Sequence, residues 1–318
     1  MLSDISETII KNNFNVTGAS YIGHPLDNTV MFITNKICNL LDNLKGIKNC
    51  LIFAEDGMDV PVDYISNNYF VFTSTPQRDY AIFVSEFAKK KEEQNRKRKY
   101  SLEEGGYYIG EGVHLGDECY IEPMCLIGHD VVIGNNARIY SGTVIKNAVI
   151  GDNFIANENS VIGAYGFTMT EDKHNDLIRI PTLGKVIIGD NVEIGSHDNI
   201  SCGSGGNTII EDNVKLDTQV HVGHDAYLHK NVEVTAGAII GGFVEIYEKS
   251  FIGINATLRN RIILGDASRV SMGSVVTRNV DSNQTVSGNF AVDHKRFLTE
   301  LRDANKKASE IDSGGAKS

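Results

Sequence analysis

Tryptophan is absent from the 318 residues, proline occurs only five times, and the five cysteines form no CxxC pair. Each shortage excludes something. An odd set of cysteines without paired spacing (Cys38, Cys50, Cys119, Cys125 and Cys202) fits neither a disulfide framework nor a zinc site, so reduced thiols are expected. No apolar run approaches the roughly 20 residues that a membrane-spanning helix needs. The opening MLSDISETIIKNNFN has neither the basic start nor the apolar stretch of a signal peptide, which predicts a cytoplasmic protein. Positive charge is also scarce: a formal net charge of −11 argues against nucleic acid as a partner. What is present is 41% apolar residues, enough for the cores of two or three domains.

Those apolar residues keep time. From Ile209 to Val280 the chain divides into twelve six-residue units, IIEDNV and KLDTQV through HVGHDA to VVTRNV. The second place is aliphatic in every one: Ile210, Leu216, Val222, Leu228, Val234, Ile240, Ile246, Ile252, Leu258, Leu264, Val270 and Val276. A period of six matches neither the 3.6 of an α-helix nor the two-residue alternation of a strand. It is the mark of a solenoid, whose coils bury apolar residues against the coils above and below. An earlier block, from Tyr108, keeps the same register at Ile109, Leu115, Ile121, Ile127, Ile133, Ile139 and Ile145. The register slips near Ile150, is interrupted between Tyr165 and Lys185, and breaks again at CGSGGN, residues 202–207. Such insertions leave a coil as side loops, and loops on a rigid scaffold are where binding groups collect.

Residues 1–100 do not repeat. NTVMFITN, NCLIFAEDG and NYFVFTST read as short buried strands, and TPQRDYAIFVSEFAKKKEEQ as a helix that Thr75 can cap. A small α/β domain is expected there. The basic run KKKEEQNRKRKY, 89–100, is either a solvated helix end and linker or a contact for a phosphate-bearing partner. Residues 101–283 form the repeat domain. In 284–318, Phe290, Phe297, Leu298 and Leu301 outline a partly amphipathic helix, followed by a tail, SGGAKS, expected to be disordered.

Hexads of the form [LIV]-G-x-x-x-x resemble those of the hexapeptide-repeat acyltransferases. That resemblance implies a mainly β fold, a left-handed parallel β-helix, carried as homotrimers with active sites in clefts between neighbouring prisms. GAYGFTMTEDKHNDLIRIPTLGKVIIGDNVEIGSHDNISCG, then TIIEDNVKLDTQVHVGHD, is similar to the matching stretch of the UDP-3-O-acylglucosamine N-acyltransferases of lipid A synthesis. MFITNK resembles that family's nucleotide-binding segment, and VSGNFAVDHKRFL its passage into a C-terminal helix.

The resemblance places the catalytic histidine at His224, fourth in its hexad, at a corner from which a side chain can project. N-acyl transfer from a thioester needs a base for the amine proton, and a neutral imidazole near pH 7 suits that work. A polar turn residue is the ordinary fate of such a histidine. Asp225 stands where the lipid A enzymes carry Asn; a His-Asp or His-Glu pair is similar instead to bacterial nucleotide-amino-sugar N-acetyltransferases. A carboxylate there could orient the imidazole. Gly242 matches a glycine whose backbone N–H faces the thioester carbonyl, and could stabilise an oxyanion. Phe32 and Asn35 match an aromatic and an amide that bind uracil, although the Tyr expected three residues on is Cys38. His221 is a candidate for the sugar pocket. His229 reads as a surface residue. A metal is not implied.

Three departures separate the chain from the lipid A enzymes. Arg261 stands where a second functional histidine is expected, Tyr165 where an Asp is, and ISCG (200–203) where IDRG is. A retained base in a changed pocket implies the same reaction on another substrate. The expectation is an acetyl or short acyl group, from acetyl-CoA or another acyl-CoA, moved to the amine of a UDP- or dTDP-linked sugar for lipopolysaccharide or O-antigen. Two alternatives stand beside it. One is the lipid A reaction with acyl carrier protein, which Lys295, Arg296, Lys306 and Lys307 could meet; the other is sugar O-acetylation.

Overall fold

A computed structural model describes residues 16–288 and 290–314, with side chains given as far as Asp303 and for Ala304 and Asn305. The signal-peptide reading of residues 1–15 and the last four residues of the tail lie outside the described residues.

The N-terminal unit is a four-stranded parallel sheet: β1 (Gly18–Ala19), β2 (Thr29–Ile33), β3 (Leu51–Glu55) and β4 (Tyr69–Thr73), in that order. Leu51 to Ala54 are wholly buried because both faces of the sheet are covered, as parallel sheets require. A 3₁₀ segment (Asn35–Leu44) and α1 (Val62–Asn67) cover one side. On the other, α2 (Pro76–Asn95) buries Tyr80, Ala81, Phe83 and Val84. Thr75 stands at the start of α2 but does not cap it. Its hydroxyl donates to the Asp79 carboxylate at 3.3 Å, and no backbone N–H reaches it.

The repeat closes into a three-faced prism. The first face begins with a strand pair at Tyr100–Leu102 and Tyr108–Gly110 and holds ten strands; the second holds eight and the third nine. Successive coils pair in parallel, so Ile209 faces Tyr227 and His221 faces Ile239, one coil of three hexads on. The coil is left-handed, as in the solved structures described below. All twelve second-place aliphatics lie in one continuous core, with Val276 the most exposed at 8%. At about 25 cal/mol per Å² of apolar surface, each such side chain contributes about 1.5–3 kcal/mol, and coil-on-coil addition makes the prism rigid.

The irregular segments acquire shapes. The register slip is one short coil, in which Val132 pairs with Val149. The Tyr165–Lys185 excursion holds a hairpin, Met169–Glu171 against Leu177–Arg179, and its Ile180 is buried against Tyr80 and Phe83 of α2. Arg98 leaves the basic run to grip Asp130 of the prism, with an Nη2–Oδ1 distance of 2.8 Å. That part of the run is a clamp between the two units and not a solvated linker. At the far end α3 runs from His294 to Gly314, so Ser313 and Gly314 of the expected tail are helical and Phe290 precedes the helix.

Candidate active site

Every departure from the repeat emerges at one edge, where the first face turns into the second. The Tyr165–Lys185 excursion, the CGSGGN insertion and the corners at 223–226, 241–244 and 259–262 stack along it. In eleven of the twelve hexads from Ile209 the fifth residue turns the corner in the left-handed region, which Gly, Asn and Asp adopt at least cost. On this edge the fifth residues are Asp225 (φ 58°), Phe243 (φ 59°) and Arg261 (φ 63°). For Phe and Arg that conformation costs roughly 1–2 kcal/mol each. Strain held at consecutive coils is a pointer to function.

The turn at Asp225 brings its carboxylate back onto its neighbour. His224 Nδ1 lies 2.8 Å from Asp225 Oδ2, in a pair whose side chains are only 14% and 3% exposed. The CGSGGN insertion encloses that carboxylate: Ser204 N–H and Oγ each donate to Oδ2 at 2.8 Å, and Gly205 N–H donates to Oδ1 at 3.2 Å. Burial alone would push the Asp225 carboxyl up, but bonds from His224 and Ser204 outweigh it and hold the group below the ordinary carboxylate range. An ionised carboxylate only accepts, so Nδ1 carries the proton and Nε2 presents its lone pair. The Thr168 hydroxyl, from the excursion, lies 3.2 Å from Nε2.

Gly242 sits beneath the ring one coil on. A Cβ there would fall 2.8 Å from Cε1 and Nε2 of His224, so only glycine admits the imidazole. At some corners the fourth-place N–H is capped from the preceding coil, as Lys230 N–H is by Glu211 at 3.1 Å and Ala236 N–H by Asp217 at 3.2 Å. Among the described residues no acceptor takes the Gly242 N–H. Phe243 meets the His224 ring edge-on with centroids 5.1 Å apart. Arg261 lies 4.0 Å over the Phe243 ring and donates from Nη1 to the Tyr21 hydroxyl at 2.9 Å. Tyr21 comes from the N-terminal unit, just past β1, and packs 4.5 Å from Phe243. Both units therefore build the site.

Of the residues singled out in the sequence, His224, Asp225, Gly242 and Arg261 stand together on this edge. His221 lies on the adjoining strand and is exposed. Phe32 and Asn35 do not touch His224. The Phe32 ring packs on Tyr80 at 5.1 Å, and the Asn35 backbone N–H donates to Glu55 at 2.7 Å. His229 is no bare surface residue: its ring is stacked between Tyr227 and Tyr247, and Nε2 lies 3.0 Å from Glu245. Four contributors escaped the sequence reading: Ser204, Thr168, Tyr21 and Phe243. The breaks in the repeat could have pointed to the first two, and Phe at a fifth place to the last.

The chain carries recognised relatives in its repeat. Residues 112–147 match the bacterial transferase hexapeptide (six repeats) family. Over 166 residues the chain is 31% identical to the probable UDP-3-O-acylglucosamine N-acyltransferase 2, mitochondrial, of Arabidopsis thaliana, covering 51% of this chain and 55% of that protein. It is 33% identical over 138 residues to the UDP-3-O-acylglucosamine N-acyltransferase of Herminiimonas arsenicoxydans, covering 43% of this chain and 39% of that one. The chain thus spans about half or less of the length of these curated relatives. Among solved structures it is similar to the UDP-N-acetylglucosamine acyltransferase of Francisella novicida, with TM-score 0.53 and 26% identity over 57% of this chain and 65% of that one. The chain is built on a left-handed β-helix of bacterial-transferase hexapeptide repeats, and its named relatives are acyltransferases of UDP-linked glucosamines.

Proposed function

We propose that this chain transfers an acyl group from a thioester to the amine of a UDP-linked glucosamine derivative, with His224 as general base. The single observation that carries the reading is the His224–Asp225 pair, 2.8 Å apart and nearly buried, with Nε2 aimed at the Gly242 corner. The names of the curated relatives favour an acylated UDP-glucosamine acceptor, the lipid A-type alternative, over a generic nucleotide amino sugar receiving a short acyl group. Either acyl carrier protein or acyl-CoA supplies the thioester.

The chemistry follows from the geometry. The amine nitrogen attacks the thioester carbonyl carbon while His224 Nε2 takes the amine proton. Asp225 stabilises the imidazolium that results and fixes its orientation. The carbonyl oxygen becomes an oxyanion, and the Gly242 N–H is a preorganised donor for it. Collapse breaks the C–S bond, and the departing thiolate receives the proton from Nε2 to leave as a thiol. No base is consumed.

The test is thiol release by the intact chain from acyl-CoA and from acyl carrier protein, with a UDP-linked 2-amino sugar as acceptor. A matched acceptor carrying hydroxyl in place of the amine is the comparison. Release that requires the amine supports the proposal. Equal release with the hydroxyl acceptor would make it an O-acyltransferase, and no release with any donor would overturn it.

A further inference from the structure

A second concavity lies on the same edge, two coils toward the N-terminus. It is a cavity of about 550 Å³ between the last turns of α2 and the prism, within the size range of small-molecule sites. Four cationic side chains line it: Lys91 and Arg96 from α2, Lys146 from a prism corner, and Arg179 from the excursion hairpin. Against them stands one carboxylate, Glu92, already held by Arg96 at 2.6 Å. Among the described residues no carboxylate pairs with Lys91 or Lys146. In a chain of net charge −11, these four exposed cations are a local concentration of positive charge around the cavity. Tyr100 and Tyr165 add two aromatic faces to the same walls.

The cavity and the His224 corner share a partition one residue thick. Tyr165 faces the cavity, while its neighbour Gly166 abuts His224, so that a Cβ on Gly166 would meet His224 Cβ at 2.9 Å. Gly166 is held from both ends: its N–H donates to Thr182 Oγ1 at 3.1 Å and its carbonyl accepts from Arg179 Nη1 at 2.8 Å. Arg179 thus belongs at once to the cavity wall and to the partition.

The geometry points to a nucleoside diphosphate subsite: the cations hold the phosphates, a tyrosine face takes the base, and the substituent on the diphosphate passes Gly166 to reach His224. Lys and Arg make charge-assisted bonds to phosphate oxygens, and an aromatic face stacks on any base. Two reaction partners share this chemistry, a UDP-linked sugar and the adenosine diphosphate end of coenzyme A. That the ligand is a partner in catalysis rests on the acyl-transfer reading above; that a nucleoside diphosphate binds here does not.

Titration calorimetry on the intact chain, with UDP and with coenzyme A each alone, tests it. The chains compared are the wild type, Lys91→Ala/Lys146→Ala, and a charge-matched control, Lys89→Ala/Lys90→Ala, on the exposed side of α2. Removing two charged donors should weaken one ligand by about tenfold or more, with the control unchanged. Loss of UDP assigns the subsite to the acceptor, and loss of coenzyme A assigns it to the donor. Wild type that binds neither, or variants that bind both as wild type does, would overturn it. The same titrations on His224→Ala should match wild type. Binding through the cavity without thioester consumption would leave this inference standing and sink the acyl-transfer reading. Normal turnover with an unchanged KM in the double variant would do the reverse.

Discussion

Two buried aspartates sit at two edges of the same prism and have opposite electrostatics. Asp198, at the turn from the third face to the first, is 1% exposed and accepts only two backbone bonds, from Gly195 at 2.9 Å and Val220 at 2.7 Å. Burial outweighs them, and its carboxyl is pushed up to about 7. Asp225, at the turn from the first face to the second, is about as buried but has His224 and the Ser204 hydroxyl as well as backbone donors, and stays below the ordinary range. The two hold different places in their turns: Asp225 is the left-handed residue itself, whereas Asp198 follows the left-handed His197. They differ too in the insertion that closes over Asp225 and in the imidazole that bonds to it. A buried carboxylate left with ladder amides alone is a cost to the scaffold; one given an imidazole and a hydroxyl is a fixed negative charge that can orient a base.

The same contrast runs along the corners. In the coils from Ile209 on, fifth places on the third-to-first edge are Gln219, Gly237, Asn255 and Gly273, mostly residues that accept a left-handed turn. On the first-to-second edge they are Asp225, Phe243 and Arg261. Over these coils the first-to-second edge holds an aromatic ring and a guanidinium in strained turns where the third-to-first edge has mostly Gly and Asn.

Breaking the active edge should have the larger effects. Asp225→Asn removes the acceptor that fixes the Nδ1 proton. It should lower kcat roughly 10²-fold with KM little changed, and alter the pH profile of kcat, which a merely structural role would leave alone. Gly242→Ala drives a methyl into the imidazole at 2.8 Å and should cost on the order of tenfold in kcat while circular dichroism stays native. Two substitutions at equivalent corners sharpen the comparison. Lys249→Asn, at φ 59° on the second-to-third edge, relieves turn strain and should stabilise the fold by about 1 kcal/mol with activity intact. Phe243→Asn relieves the same strain, at φ 59°, but removes the ring between His224 and Arg261, so activity should fall. Calorimetric melting beside steady-state rates reads both.

The smallest effect is that of pH at the quiet edge. Asp198 has a carboxyl raised from an ordinary 3.8 to about 7, so between those values the folded chain holds a proton that the unfolded chain has released. Stability from this group is therefore fully present below about 4 and is lost as pH rises toward 7. The melting temperature of the wild type should fall relative to Asp198→Asn over that range, whatever the offset between them. A constant difference across it would contradict the assignment.

Much of this was legible in the sequence because a solenoid repeats its burial pattern every six residues. The twelve second-place aliphatics named the core, and the register put His224, Gly242 and Arg261 one coil apart at one corner. The N-terminal strands and the long helix were equally readable. The partners of His224 were not. Ser204 and Thr168 lie on insertions whose path the period does not set, and Tyr21 arrives from a different unit altogether. Phe32 reads as a base-stacking ring from its sequence neighbours, but that it packs on Tyr80 is a contact only the fold shows. Local pattern fixes which residues are buried in a repeat, but contacts across insertions depend on packing that only the assembled chain reveals.

The most direct test of the central claim is the rate of thiol release by His224→Ala beside wild type, with the same UDP-linked amino sugar and thioester. The His224 side chain is only 14% exposed and partners the buried Asp225 carboxylate, so its loss should lower the melting temperature by several degrees, and rates are compared well below that transition, where the folded variant lacks only the base. The account predicts a fall in kcat of about 10²–10⁴-fold. A variant that is folded at the assay temperature and turns over at the wild-type rate would contradict it.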